Sequence, residues 1–199
     1  LRAEDELTLE AWVKPDVIGA EQTLFHKPLE YYFKIKPSGA LEFAYIDRPP
    51  PTEEVPAPVG TFYSFTAAYN LLPTTTYHLM VTLDPEWVRI FVDGVAVLEL
   101  GTPGLRIAQT TSTLYIGTAG TNQFFDGFID EAAVYTRALT KERAAYHYAA
   151  RLAPTTTVWT TVSDDNISSS RLKEFRSKRG RQDEQRGPET GSLTGTLRN

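Results

Sequence analysis

The chain has 199 residues, of which 41% are hydrophobic and 12% aromatic, and its formal net charge is −5. This length and apolar content suit one sizeable domain with a shorter appendage, and they exclude a second large domain. The absence of cysteine excludes disulfides and thiolate metal sites. The sequence also lacks an apolar run approaching the roughly 18 residues of a membrane span, so we expect no membrane insertion.

Charge divides the chain into two unequal parts. Residues 1 to 154 hold 12 Lys and Arg against 19 Asp and Glu, whereas residues 155 to 199 hold 8 against 6. We therefore predict a domain over 1–154 and an extended tail segment over 155–199. Neither part has the clustered positive charge of a duplex-binding surface, so we expect no nucleic-acid partner.

The first part of the chain has the alternating pattern of short β-strands, bounded by turn residues. The predicted strands cover 7–13, 23–27, 31–36, 40–46, 63–69, 77–83, 87–92, 95–100 and 113–117. Asp93 and Gly94 form the sharpest turn signal, because a two-residue hairpin loop needs the positive φ that Asp and Gly tolerate. No helices alternate with these strands, which favours an all-β antiparallel sandwich.

A final strand and a helix are predicted over residues 124 to 148. Residues 127–135 alternate at the period of a pleated sheet. Thr140 is suited to cap a following helix, and Glu142 lies in the first turn, where the helix dipole favours an anion. The strand thus leads into a short C-terminal helix.

This closing segment resembles the F-x-G-x-I-D-E-x-x-[VI]-Y-x-R-A-L pattern of laminin-G-like, concanavalin-A-like lectin domains. The matching residues are Phe125, Gly127, Ile129, Asp130, Glu131, Val134, Tyr135, Arg137, Ala138 and Leu139. Residues 7–15, 87–97 and 113–117 are similar to other strands of that family, in the same order. The resemblance covers about residues 5 to 150 and implies an all-β jelly-roll of two antiparallel sheets, in a family that binds sugars, proteins or sulfated chains, sometimes with calcium.

The tail resembles the beginning of a minor tail or baseplate protein domain of tailed bacteriophages. The residues that carry this resemblance include Trp159, Val162, Arg179, Gly180 and Arg181. Trp159 and Val162 suit a strand that pairs with a neighbouring subunit, and with Arg179 and Arg181 they are our candidate assembly residues. The acidic residues within the basic run of the tail favour a solvated segment or an assembly contact over a nucleic-acid patch.

Catalysis is disfavoured by the carboxylates and histidines of the sequence. Glycoside hydrolases need two carboxylates facing one cleft, whereas Asp130 and Glu131 are adjacent and are expected on opposite faces of a strand. His26, His78 and His147 lie on separate elements without metal-ligand or nucleophile spacing. We predict a protein that is not an enzyme, with packed or surface histidines.

A structural calcium is the one cofactor that the family resemblance suggests. Asp130 matches a ligand position of the family, and Glu4 or Asp5 would supply further oxygens. Calcium needs six to eight such ligands. The alternative, which we favour, is that Asp130 accepts backbone hydrogen bonds while Glu4 and Asp5 are solvated.

The loop over residues 47 to 60 is the candidate ligand-binding region. It is long and rich in proline, and long loops of compact domains are often functional. Tyr45, Tyr63 and Tyr69, with Arg48 in the loop, are the candidate ligand contacts. In the alternative interpretation, about half of these tyrosines belong to the core and the loop is a stiff spacer.

Together these patterns favour a non-enzymatic structural and adhesive component of a bacteriophage tail or baseplate. Its expected partners are other virion proteins, further copies of the chain and a host-surface glycan. The alternatives are a glycan-binding module of a secreted or cell-surface protein, with an extracellular location, and a capsid decoration protein.

Overall fold

The computed structural model describes residues 5–48, 60–102, 106–152, 172–178 and 192–197. Its contacts divide the chain into two compact units, residues 1–153 and 154–199. In the first unit the elements are β1 (Leu7–Pro15), β2 (Gln22–Lys27), β3 (Tyr31–Ile35), β4 (Ala40–Asp47), β5 (Thr61–Asn70), β6 (Tyr77–Leu83), β7 (Trp87–Val92), β8 (Val95–Gly101), β9 (Tyr115–Ile116), β10 (Gly127–Tyr135) and α1 (Lys141–Leu152). In the second unit, β11 (Leu172–Lys178) and β12 (Ser192–Leu197) pair antiparallel.

The ten strands of the first unit form two antiparallel five-stranded sheets. One has the order β10-β1-β6-β7-β8, and the other has the order β5-β4-β3-β2-β9. The jelly-roll sandwich predicted from the sequence is therefore confirmed, together with its short C-terminal helix. The strand predicted over residues 113–117 is shorter than expected, since β9 contains only Tyr115 and Ile116.

The main core lies between the inner faces of the sheets. On β1, Leu7, Leu9 and Val13 are buried in this core, because every second side chain of a strand points to the same face. Phe33, Phe43 and Ile90 contribute to the same core from the other strands. The burial of these large apolar side chains is the main stabilising term of a domain without disulfides.

A smaller apolar cluster lies on the outer face of the β1-containing sheet, beneath α1. It consists of Met80, Phe91, Leu139 and Ala144, with Tyr135 packed against it. Thr140 caps the helix as predicted, since its hydroxyl accepts a hydrogen bond from the backbone N–H of Arg143. The helix therefore covers the part of this outer face around Met80 and Phe91.

The turn between β7 and β8 confirms the hairpin signal of the sequence. Asp93 and Gly94 have φ values of 51° and 76°, as a two-residue turn with positive φ at both positions requires. A Cβ at Gly94 would approach the Cα of Ala145 to 2.9 Å. The absence of a side chain there lets α1 pack directly on the turn.

Candidate functional site

The tyrosines predicted to contact a ligand lie on the inner face of the second sheet. Tyr45 is 0% exposed and stacks against Phe65, so it belongs to the core, as the alternative interpretation expected, and it also borders the cleft described below. Tyr63 and Tyr69 are half-buried and pack against the main core. Arg48 is exposed after β4, where its backbone N–H donates to the carbonyl of Arg106. Residues 49–59 of the predicted binding loop lie outside the described residues.

The outer face of the same sheet has aromatic and charged side chains, and we call it the open face. Its residues in the described structure include His26, Tyr32, Lys34, Glu42, Phe62, Ser64, Thr66 and Tyr115. One lateral row crosses all five strands, because Ser64 pairs with Ala44, Ala44 with Tyr32, Tyr32 with His26, and His26 with Tyr115. Alternation along each strand thus places these side chains together, facing away from the core.

A cleft of about 140 Å³ opens on this face. We call it the aromatic cleft, and its lining includes His26, Leu29, Tyr32, Ala44, Ile46 and Phe62. The rings of Tyr32 and Phe62 lie 6.1 Å apart at 40°, and Phe62 is 56% exposed. Ala44 lies on the strand between those of Tyr32 and Phe62, and its small side chain lines the cleft.

Glu42 organises the polar groups beside the aromatic cleft. Its carboxylate accepts hydrogen bonds from the Tyr32 hydroxyl at 2.7 Å, from Lys36 Nζ at 2.8 Å and from the Thr66 hydroxyl at 3.3 Å. Burial alone would raise the pKa of Glu42, but the hydrogen bonds from Lys36 and Tyr32 and the charges of Lys36 and Lys34 lower it. Glu42 is therefore ionised near neutral pH and holds the Tyr32 ring in position.

His26 contributes a polar atom at the other side of the aromatic cleft. Its Nδ1 is buried and has no hydrogen-bond partner in the described structure. Its ring centroid lies 6.5 Å from that of Tyr115. After a small movement of the ring, an unpaired ring nitrogen can donate a hydrogen bond to a polar ligand or accept one from it.

The proposed calcium ligands are not brought together by the structure. Asp130 pairs with Trp12 in the β1–β10 ladder and lies 3.5 Å from the Arg151 guanidinium, whereas Asp5 precedes the opposite end of β1. Glu4 lies outside the described residues. Within those residues, no group of three or more His, Asp or Glu side chains is placed to hold a metal. Calcium binding stays a prediction from the family resemblance.

The adjacent carboxylates of β10 depart from the predicted alternation. Glu10 pairs with Ala133 and Trp12 with Asp130, so β10 contains a bulge opposite Ala11. Asp130 and Glu131 border two neighbouring clefts that share Trp12 and Arg151, and the expectation of opposite faces is wrong. The bulge is the physical reason, since it interrupts the two-residue period of the strand.

The candidate assembly residues of the tail, Trp159, Val162, Arg179 and Arg181, lie outside the described residues. The predicted roles of these four residues therefore stay predictions.

A family model describes the chain over most of its length. Residues 1–145 match the Laminin_G_3 model, described as the concanavalin A-like lectin/glucanases superfamily. The chain belongs to this family. The jelly-roll resemblance of the closing segment is thereby confirmed, and the domain is a lectin/glucanase-like sandwich.

Several solved structures share the fold of this lectin/glucanase-like domain. A protein of Bacteroides ovatus assigned as carbohydrate binding has a TM-score of 0.56 and 19% identity, over 71% of this chain and 40% of its own. Domain 4 of an extracellular arabinanase of Geobacillus stearothermophilus, in complex with arabinotriose, has a TM-score of 0.55 and 20% identity, over 73% and 68%. The sialidase CBM40 of Ruminococcus gnavus, bound to α2,3-sialyllactose, has a TM-score of 0.54 and 14% identity, over 73% and 84%.

The chain thus spans about two fifths of the Bacteroides ovatus protein. A comparison with curated protein sequences found no match. In the part of the chain that the structure describes, none of the helices has the length and apolar character needed to cross a membrane.

Proposed function

We propose that the sandwich domain is a non-catalytic carbohydrate-binding module and that its ligand lies in the aromatic cleft of the open face. The observation that carries this proposal is the exposed pair of Phe62 and Tyr32 beside the fixed polar groups around Glu42. A sugar ring has a face of C–H groups and a rim of hydroxyls. It therefore needs an apolar surface for stacking and oriented hydrogen-bonding groups at the edge.

The geometry of the open face meets both needs. Phe62 offers an exposed ring, and Glu42 and Thr66 on neighbouring strands, with Lys36 just after β3, supply donors and acceptors. Phe62, Glu42 and Thr66 belong to paired strands rather than to loops, so little conformational entropy is lost when a ligand binds. The similar domains in complex with arabinotriose and α2,3-sialyllactose support a sugar as the ligand class.

The carboxylates near the aromatic cleft favour binding over hydrolysis. Glu42 is engaged by Lys36 and Tyr32, and Glu30 accepts two hydrogen bonds from the Lys27 ammonium. Hydrolysis needs one carboxyl group that can donate a proton and a second that attacks or activates water. The hydrogen bonds and lysine charges that lower the pKa of Glu42 keep it ionised, which suits orientation of a ligand but not donation of a proton.

The test is binding of the full chain to a glycan panel that includes arabinotriose and α2,3-sialyllactose, followed by calorimetry with the strongest ligand. Phe62→Ala should weaken binding about tenfold or more, equivalent to about 1.4 kcal/mol, because the stacking surface is lost. Tyr32→Phe should weaken it less, through loss of the hydroxyl. Leu72→Ala removes another exposed apolar side chain and should change nothing. Unchanged affinity in a folded Phe62→Ala variant would refute this site.

We infer an extracellular location for the domain, which the proposed ligand and the similarity to a domain of an extracellular arabinanase support. The finer hypothesis of a bacteriophage tail or baseplate component rests on the combination of the jelly-roll with the resemblance of the tail, and the proposed sugar site does not depend on it. Cryo-electron microscopy of the source particle would test that hypothesis. Ordered contacts of residues 155–199 in a tail or baseplate ring would support it, and their absence from any particle would contradict it.

A further inference from the structure

A second cleft lies on the other sheet, between α1 and strands β1 and β10. Its volume is about 400 Å³, and we call it the α1 cleft. Its lining consists of Glu10, Trp12, Glu131, Tyr135, His147, Ala150 and Arg151. An adjoining cleft of about 280 Å³ shares Trp12 and Arg151 and includes Phe128, which is 66% exposed. These two clefts lie on the sheet that contains β1, whereas the aromatic cleft lies on the sheet that contains β4.

The carboxylate of Glu10 lines one side of the α1 cleft. Glu10 is 7% exposed, and its carboxylate accepts hydrogen bonds from His78 Nε2 at 2.7 Å and from His147 Nδ1 at 2.8 Å. Burial alone would raise the pKa of Glu10, but the two histidines lower it below its ordinary value. Glu10 is therefore ionised, and its neighbours hold it against the cleft.

The second carboxylate of the cleft is held in an uncommon backbone conformation. Glu131 has a φ of 50° in the bulge of β10, in the left-handed region that residues other than glycine seldom occupy. Its side chain is exposed and lines the cleft. Strained conformations and bulges of this kind are concentrated at binding and catalytic sites, where they redirect a side chain.

The charge and the rings of the α1 cleft define the ligand that would fit it. Glu10 and Glu131 are opposed in the lining by Arg151, and this guanidinium lies 4.4 Å from the Trp12 ring centroid and 3.5 Å from Asp130. Arg151 is paired with Asp130, and Glu10 is hydrogen-bonded to His78 and His147. Within the described residues, Glu131 is thus the carboxylate of the lining that makes no ion pair. Carboxylates next to aromatic rings favour a cation that carries apolar surface.

We propose that the α1 cleft binds an amino sugar, with the protonated primary amine of the sugar paired to Glu131 and its ring seated against Tyr135. A cleft of about 400 Å³ is larger than a single lysine side chain needs, and the adjoining cleft with Phe128 extends it along β1. A short chain of amino sugars would occupy both. This ligand class goes beyond the sugar binding proposed for the aromatic cleft and does not depend on it.

The test compares two trisaccharides that differ only at nitrogen, β-1,4-linked glucosamine and its N-acetylated counterpart. Binding to the full chain would be followed by calorimetry at a mildly acidic pH of about 6, where most of the sugar amines carry a proton. The amine form should bind at least tenfold more tightly, because acetylation removes the charge. Equal affinities for the two trisaccharides would overturn the proposal, and so would binding of a lysine peptide in preference to both.

Two substitutions at one position separate the role of the side chain from that of the backbone. Glu131→Gln should weaken binding of the glucosamine trisaccharide at least tenfold without unfolding the protein. Glu131→Gly should weaken it equally and raise Tm by about 2–4 °C, because glycine tolerates positive φ. A lower Tm for Glu131→Gly, or full affinity in Glu131→Gln, would overturn the proposal. Leu72→Ala is the control, since Leu72 is an exposed apolar side chain that lines neither cleft.

Discussion

The outer faces of the two sheets are built from similar residues but have opposite exposures. On the open face, Phe62 and the row around Glu42 are directed away from the core and are not covered by a helix of the described first unit. On the other sheet, α1 covers Phe91 and Met80 and carries His147 onto Glu10. The comparison shows that one sheet leaves its charged and aromatic outer side chains open across the face. On the other sheet the side chains under α1 are structural, and the clefts beside the helix stay open.

Two phenylalanine truncations test this comparison with the largest expected effect. Phe91 is 0% exposed in the cluster under α1, so Phe91→Ala should lower the free energy of unfolding by about 3–5 kcal/mol through lost burial and a cavity. Phe62→Ala on the open face should change it by less than about 0.5 kcal/mol. Urea denaturation of both variants would measure the difference, and similar losses would show that the open face is covered as well.

Glu10→Gln sharpens the comparison at the level of charge. It should lower the free energy of unfolding by about 1–3 kcal/mol near pH 7, because two charge-assisted hydrogen bonds to buried or half-buried histidines are weakened. The folded pKa of Glu10 is lowered, so its contribution is full above the ordinary glutamate value of about 4.3 and is lost as the pH falls through the folded value.

The measurement is chemical denaturation of the wild-type and Glu10→Gln proteins from pH 7 to pH 3. The two stabilities should converge towards the acid end, since a protonated Glu10 resembles Gln. Glu42→Gln on the open face is the matched control and should show the same direction with a smaller amplitude, because Lys36 is more exposed than His78. A constant difference across this pH range would contradict the ionised state of Glu10.

Thr140→Ala has the smallest expected effect, because it changes only the N-terminal cap of α1. Loss of the cap on the Arg143 N–H should cost about 1 kcal/mol, whereas Thr140→Ser should retain most of it. Thermal unfolding would measure the global change. Hydrogen exchange of the α1 amides should increase more than that of the β3 and β4 amides. An equal increase in α1 and in both sheets would show that α1 does not open independently of the sandwich.

The strands and the turn at Asp93 and Gly94 were predictable from the sequence because their signals are local. A period of two residues defines a strand, and a two-residue loop with positive φ defines a hairpin. The orientation of the tyrosines on β4 and β5 was harder, because β5 contains aromatic residues on both faces. A signal was nevertheless present, since Lys34 and Glu42 mark the outer face and Phe33 and Phe43 the inner one.

The Glu10 cluster and the bulge at Glu131 were not predictable by the same reasoning. His78 and His147 are 68 and 137 residues from Glu10, and only the sheet order and the docking of α1 bring them together. The bulge follows from pairing with β1 and leaves no mark on the composition of β10. Sequence patterns report the period of one strand, whereas these features depend on how distant strands are aligned.

The first and last strands of the sandwich are neighbours, with Thr8 of β1 paired to Tyr135 of β10. Hairpins such as β7–β8 connect residues close in the chain and form early, whereas closing a loop of nearly the whole domain carries a larger entropic cost. During synthesis, the edge of β1 that pairs with β10 therefore stays without its partner strand until β10 leaves the ribosome. The helix α1 docks only afterwards. A nascent chain arrested before residue 127 would expose that edge to other chains and to chaperones.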